Sequence, residues 1–207
     1  ILILLITRIS IINEEKQIQR TICTRLMIRL ETLLQSLLEI SKMETGLIQI
    51  NKKKLPLMDT VISAVNRTYP KADEKEIEFV FDYEKELETC TIMQDKRWLG
   101  EAVINVLDNA VKYSPCGSKI FIRLQKRNDL VRMEIEDQGI GIPQNEYHKI
   151  FQRFYRGSSR EVMEKSGTGI GLFLSREIIE KHGGTIMVTS GKKKKGSTFV
   201  IQLPYVG

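Results

Sequence analysis

Cysteine is scarce and unpaired: Cys23, Cys90 and Cys116 lie far apart and are odd in number. Such spacing supplies neither a disulfide framework nor a metal knot, and a reducing cytosol is the simplest setting. No apolar stretch approaches the roughly 20 residues that cross a bilayer. ILILLI at the start is far too short and reads as the buried end of a helix. No GxxxxGK[ST] occurs, which excludes a P-loop. Charge of one sign is not in large excess: 32 basic residues against 26 acidic ones leave +6. Part of it sits in two lysine runs, 52–54 and 192–195, with no aromatic residue interleaved. They read as solvated strand ends or hairpin tips rather than a nucleic-acid surface. No internal repeat is present.

What remains is the composition of a globular protein, 42% apolar and 28% charged, enough to bury a core. The 207 residues suit one ordinary domain plus a short second element. The chain opens on Ile rather than Met and is expected to be a piece of something longer. Residues 1–10 read as a helix stub. Asn13, followed by Glu14 and Glu15, is a suitable helix start. Apolar residues then recur at Ile18, Ile22, Leu26, Leu30, Leu33, Leu37 and Ile40, the seam of a helical bundle, until Gly46 stops the helix. Such a seam cannot be buried alone; it needs the stub and a second copy of itself. The expected division is a partial helical hairpin at 1–46 and a second domain at 47–207.

In that second domain, strands are expected at 47–54, 77–81, 90–93, 118–126, 131–135, 185–190 and 197–203. Helices are expected at 57–69 behind Pro56, from an Asp95 cap through Tyr113, and from about Ile170 to His182, ended by Gly183 and Gly184. Asn128-Asp129 turns one hairpin. Residues 138–168 lose regular patterning apart from a short helix near 146–151, and a loop of that length is usually functional. The sum is a two-layer α/β sandwich, a mixed sheet with helices on one face.

The chemistry concentrates in four clusters. Asn105, Asn109, Lys112 and Tyr113 share one face of a helix, while Leu99, Val103, Val106 and Ala110 form the opposite, core face. Side-chain amide oxygens suit a hard cation, and a neighbouring lysine suits phosphate. Asp137 ends a strand and is followed by Gly139, Gly141 and Ile142. Gly167, Thr168, Gly169, Gly171 and Leu172 open a helix, where unpaired N–H groups can seat phosphate. Gly196-Ser197-Thr198-Phe199 follows downstream.

In this order and spacing, the clusters resemble the N, G1, G2 and G3 boxes of the ATP-binding domain of bacterial sensor histidine kinases. The segment from Phe151 through Arg156 looks like the family's F box. Five ordered blocks over residues 94–203 are far more specific than any one glycine motif. LLEISKMETG, residues 37–46, also looks like the end of the second dimerisation helix. The resemblance implies a Bergerat-type ATP-binding fold, with ATP and Mg²⁺ as cofactors and Asn109 as metal ligand supported by Asn105. It further implies Lys112 on phosphate, Tyr113 beside adenine or ribose, Asp137 on the adenine amine and the glycine clusters with Thr198 around the nucleotide. Among the lid cations Lys149, Arg153, Arg156, Arg160 and Lys165, Arg156 is expected to reach over phosphate. Hydrolytic members of the superfamily carry a glutamate where Asn105 stands; an amide cannot take a proton from water, which favours a kinase over an ATPase.

The family's phosphoacceptor histidine stands on the first dimerisation helix. His148 falls in the lid and His182 at a helix end, where a positive charge would suit the helix dipole. Neither is the acceptor, so autophosphorylation by this chain is not expected. The implied whole is the catalytic part of a histidine kinase, homodimeric through its N-terminal helices, cytoplasmic, with a response regulator as partner. Any membrane anchor would lie in regions outside this chain. The rival reading is a nucleotide-responsive interaction module without phosphoryl transfer.

Overall fold

A computed structural model describes residues 49–191 and 195–205, together with positions 17, 19–24, 26, 27, 30, 31, 34 and 41. The chain divides into two compact units, 1–48 and 49–207. In the first, the described residues are helical, and the Thr21 and Thr24 hydroxyls donate to the Gln17 and Arg20 carbonyls at 2.9 Å. Seam residues Ile22, Leu26 and Leu30 are exposed in this single chain. The stub at 1–10, the Asn13 cap, the seam positions 18, 33, 37 and 40, the 37–46 phrase apart from Ser41, and the Gly46 stop lie outside the described residues.

The second unit begins with β1 (Lys53–Pro56) and α1 (Leu57–Asp73), followed by β2 (Glu78–Tyr83), a 3-10 turn at Lys85–Glu88 and β3 (Thr91–Gln94). Then come α2 (Lys96–Tyr113) and the hairpin β4 (Lys119–Arg127) and β5 (Leu130–Glu136). After two 3-10 turns and the short α3 (Arg160–Glu164), α4 (Gly171–Lys181) leads to β6 (Thr185–Ser190) and β7 (Ser197–Pro204). The main sheet has the order β2-β4-β5-β7-β6; β2 and β4 are parallel and the remaining pairs antiparallel. β1 and β3 form a separate antiparallel pair.

Alternation decides which face is covered. Ile120, Ile122 and Leu124 of β4, Val131, Met133 and Ile135 of β5, and Phe199, Ile201 and Leu203 of β7 are all buried. The alternate positions on the other face carry a charged ladder in which Arg123 meets Glu136 at 2.6 Å and Arg132 meets Glu134 at 2.9 Å. Helices cover the first face through the apolar stripes Val61–Ala64–Val65 of α1, Leu99–Val103–Val106–Ala110 of α2 and Leu174–Ile178 of α4. This is the two-layer sandwich with a mixed sheet that the pattern implies.

α2 is fixed at its start. The Asp95 side chain accepts from the Arg97 and Trp98 N–H groups at 3.1 and 3.2 Å, satisfying two otherwise unpaired donors. Buried Gln94 just before it donates to the Leu55 and Pro56 carbonyls and accepts from Thr60, tying β3 to the start of α1.

Four expectations need correction. The first strand is Lys53–Pro56 rather than 47–54, because its partner β3 pairs from Pro56↔Thr91 to Lys53↔Gln94. α1 runs past Pro70 to Asp73. Beyond the missing N–H, Ala72 is buried and Lys71 pairs with Asp108 of α2 at 2.8 Å. The helix expected near 146–151 is two 3-10 turns, Gln144–Glu146 and Lys149–Phe151. His182 is not a charged dipole cap: it is 4% exposed, its Nε2 accepts from the Asp95 N–H at 3.0 Å, and Nδ1 donates to the Ile178 carbonyl at 2.7 Å. Only the neutral ring makes both bonds.

Candidate functional site

A cavity of about 660 Å³ opens between α2, the β5 end and the segment that precedes α4. α2 contributes Asn105, Asn109, Lys112 and Tyr113, because its core stripe turns this face outward. The β5 end adds Asp137, Gly141 and Ile142; the start of β7 adds Ser197 and Phe199. The segment before α4 brings Tyr155, Arg156, Gly167, Thr168 and Gly169, and the start of α4 brings Gly171 and Leu172.

Asp137 is 5% exposed, and both of its hydrogen bonds end on Oδ1: from the Gly139 N–H at 2.8 Å and from the Ser197 N–H at 3.2 Å. Among the described residues Oδ2 has no donor. Burial pushes the carboxyl up to about 6, against the pull of the two N–H groups and with a further push from Glu136. A Cβ on Gly196 would sit 2.0 Å from the Asp137 carbonyl oxygen, so this close packing of β7 requires glycine.

The carboxamides of Asn105 and Asn109 have no hydrogen-bond partner among the described residues. No group of three or more His, Cys, Asp or Glu side chains there could hold a metal. A cation in this cavity would therefore rest on amide oxygens and on oxygens supplied by its ligand. That donor set fits Mg²⁺, which favours oxygen and is commonly held between a few protein groups and substrate phosphates. A Cβ on Gly171 would come 3.3 Å from Asn105 Oδ1, so α4 starts directly beside the asparagine.

Cations collect on one side. The Lys112 ammonium lies 4.8 Å from the Tyr113 ring centre and that of Lys165 lies 5.3 Å away. Burial, then the nearby Arg156, lowers the Lys112 pKa, while Asp108 opposes the shift. The Tyr113 hydroxyl is raised by burial, with Arg156 and Lys165 opposing.

Nearly all residues expected at the site converge on this cavity. Gly139 and Thr198 do not line it. Gly139 serves packing: a Cβ there would lie 2.6 Å from the Tyr113 carbonyl oxygen. Thr198 stands opposite Glu136 in the ladder, and strand alternation gives the cavity its neighbours Ser197 and Phe199 instead. Core-facing Phe199 could have revealed this, since 197 shares its face.

Of the lid cations, Arg156 lines the cavity, but its Nη2 donates to the Val162 and Lys165 carbonyls at 2.5 Å. Arg153 lies over the Phe173 ring at 4.6 Å, and Arg160 pairs with Glu164 at 2.8 Å. The Lys165 ammonium donates to the Lys112 carbonyl.

Sequence reading missed Lys75, whose ammonium donates to the Val111 and Ser114 carbonyls at 2.6 and 2.5 Å and so caps α2. It also missed the short α3 with its Ser159 cap, and the buried Glu146. No sequence signal marks these long-range partners.

Known proteins resemble this chain in sequence and fold. The chain is 32% identical over 179 residues to the sensor histidine kinase WalK of Bacillus subtilis, covering 86% of this chain and 29% of that protein. It spans less than a third of the length of the curated relatives it matches. The solved mycobacterial sensor histidine kinase MprB superposes with a TM-score of 0.65 at 30% identity, over 74% of this chain and 97% of that one. Histidine kinase ThkA, solved in complex with the response regulator protein TrrA, aligns with a TM-score of 0.71 at 25% identity, over 88% of this chain and 49% of that one. Residues 94–207 match the family described as histidine kinase-, DNA gyrase B- and HSP90-like ATPases, and the chain belongs to that family.

Proposed function

We propose that the cavity binds ATP with Mg²⁺ and that the chain passes the γ-phosphoryl group to a histidine on a dimerisation helix. Asp137 Oδ2 accepts from the adenine exocyclic amine, a position where guanine carries a carbonyl. Tyr113 packs beside base or ribose, Lys112 pairs with phosphate, and N–H groups of the 167–171 segment seat the remaining phosphate oxygens. Asn109, with Asn105 beside it, would hold Mg²⁺, which supplies charge neutralisation between the phosphates. The histidine nitrogen forms the new P–N bond while the bond from the γ-phosphorus to the β–γ bridging oxygen breaks and ADP leaves. With an amide at Asn105, that position offers water no base, so ATP persists until that nitrogen arrives. The single observation that carries this reading is the pair of unpartnered carboxamides that line one cavity together with a buried carboxylate and a lysine.

The exposed seam Ile22–Leu26–Leu30 supports a homodimer through the N-terminal helices. The division of the chain near residue 48 supports a hairpin at 1–46 and a catalytic domain at 47–207. ThkA's complex supports a response regulator as the next phosphate acceptor. Among the described residues no helix is long and apolar enough to cross a membrane. The likeness to sensor histidine kinases supports a cytoplasmic place for this portion in a protein anchored through other regions.

Labelled ATP supplied with a histidine-bearing dimerisation domain tests the proposal. Acid-labile, base-stable label on that domain is expected, and it should vanish with Asn109→Ala. Nucleotide binding without any transfer would overturn the kinase reading. Unchanged binding in both Asn109→Ala and Asp137→Ala would remove the site itself.

A further inference from the structure

Glu146 is a carboxylate 6% exposed in the cavity wall, outside every motif of the sequence. Burying a charge is costly unless hydrogen bonds replace its water. Here the donors come from one place. Glu146 Oε1 accepts from the Ser158 hydroxyl at 2.7 Å and the Ser158 N–H at 3.3 Å. Oε2 lies 3.1 Å from where a Gly157 Cβ would stand, so the backbone passes close over the carboxylate.

The two sides of this contact are built differently. The segment carrying Glu146 is anchored to the sheet: Tyr147 Oη bonds Ser190 Oγ at 2.9 Å, and Phe151 packs edge-on against Phe199 at 6.4 Å. The chain then bends at Phe154, a non-glycine residue at φ 61°, 54% exposed. Beyond it, 155–165 holds itself together. Arg156 binds the Val162 and Lys165 carbonyls, and Ser159 caps α3. At the far end Gly169, at φ 73°, packs against the Phe154 and Tyr155 backbone, where a Cβ would approach to 2.7 Å.

We propose that Glu146 is a positioning residue: acting through Ser158, it latches the 155–165 segment over the cavity and sets how long a bound nucleotide stays. The proposal rests on the nucleotide-binding reading above. Without the latch, the segment keeps its Lys165 tie to the Lys112 carbonyl but swings more freely on Phe154 and Gly169, while its internal clamp persists.

The full chain carrying Glu146→Gln, Ser158→Ala or both tests this through two readouts. Dissociation of a fluorescent ATP analogue, chased with unlabelled ATP, is expected to quicken by roughly tenfold in each single variant, the size of one charge-assisted hydrogen bond. The association rate should stay within about twofold, and the double variant should be no faster than the faster single one, because one removes the charge and the other the hydroxyl of the same contact. Trypsin cleavage after Arg160, a side chain 91% exposed, should accelerate in the nucleotide-free variants. Ser158 is exposed, so its variant keeps the test sound even if Glu146→Gln lowers stability. Dissociation rates within twofold of the parent in Ser158→Ala would overturn the latch. A parent chain that binds no ATP analogue would instead remove the nucleotide reading; tryptic acceleration would then still support the latch and an unchanged digest would overturn it.

Discussion

At the scale of single residues, Asp137 joins function and stability in opposite directions. Its pKa rises from 3.8 to about 6 on folding. Between those values the native state holds the proton more tightly than the unfolded chain, so stability falls as pH climbs through this window and stays reduced above it. A shift of roughly two units is worth about 3 kcal/mol as an upper bound. Asp137→Asn is therefore expected to raise the nucleotide-free stability by up to that amount at pH 7.5, with the gain vanishing near pH 4, in denaturant titrations of both proteins. Adenine nucleotide affinity should move the other way, improving in the parent as pH rises from 5 to 7, when the ionised carboxylate becomes available as an acceptor. A flat affinity profile over that range would remove Asp137 from base recognition. Glycines supply a second residue-scale contrast. Gly117 and Gly196 both have positive φ, near 70°, but a Cβ on Gly117 meets open space whereas one on Gly196 meets the Asp137 carbonyl oxygen. Gly117→Ala should cost about 1 kcal/mol in thermal melts and leave nucleotide affinity intact. Gly196→Ala should cost at least twice that and weaken binding, since it displaces Asp137.

At the scale of elements, the site depends on how α2 and α4 are held together, and His182 does this at their outer ends. Its bonds to the Asp95 N–H and the Ile178 carbonyl need a neutral ring protonated at Nδ1. Burial lowers its pKa and Lys52 adds to that, while the Ile178 bond and Asp95 oppose it. The unfolded chain thus takes up this proton first. The His182 contribution is fully present above about pH 6.5 and declines as pH drops below it, opposite in slope to Asp137. His182→Phe should cost about 1–3 kcal/mol at pH 8 and abolish that acid-side decline; an unaltered pH slope would show that the bridge is not what titrates. Elements whose cause is local were readable from sequence. The Asp95 cap, the alternation of β4 and β5 and the turn at Asn128, where φ is 51°, each follow from residues close in the chain. Features decided by distant partners were not. Helix α1 continues through Pro70 against α2, where Ala72 is buried and Lys71 meets Asp108. Helix α3 is five residues long with nothing buried, so it leaves no periodic trace. The offset of Thr198 from the cavity, by contrast, was readable: the alternation that turns Phe199 to the core turns Thr198 away from it, as the pairing with Glu136 shows.

At the scale of the whole molecule, the cavity draws its walls from α1, α2, β5, β7 and the 155–172 segment, all within the 49–207 unit. A ligand that touches elements so far apart in sequence binds only when the whole unit is folded. Its binding energy must then appear in global unfolding rather than in local order. At a free concentration 100 times Kd the gain is about 2.7 kcal/mol. For a unit of this size it corresponds to a rise in Tm of roughly 5–11 °C. Calorimetry should show that rise with ATP and Mg²⁺, a smaller one when Mg²⁺ is chelated, and none with GTP, whose base puts a carbonyl against Asp137. Added salt should shrink the effect, because the pairing proposed between Lys112 and phosphate is partly a solvent-screened attraction. Since residues 1–48 contribute no described wall residue, a chain beginning at Gln49 should show the same ligand-induced shift as the full chain. If the shorter chain melts at an unchanged temperature in saturating ATP and Mg²⁺ while the full chain responds, the nucleotide is held between the two units and the cavity described here is not its seat.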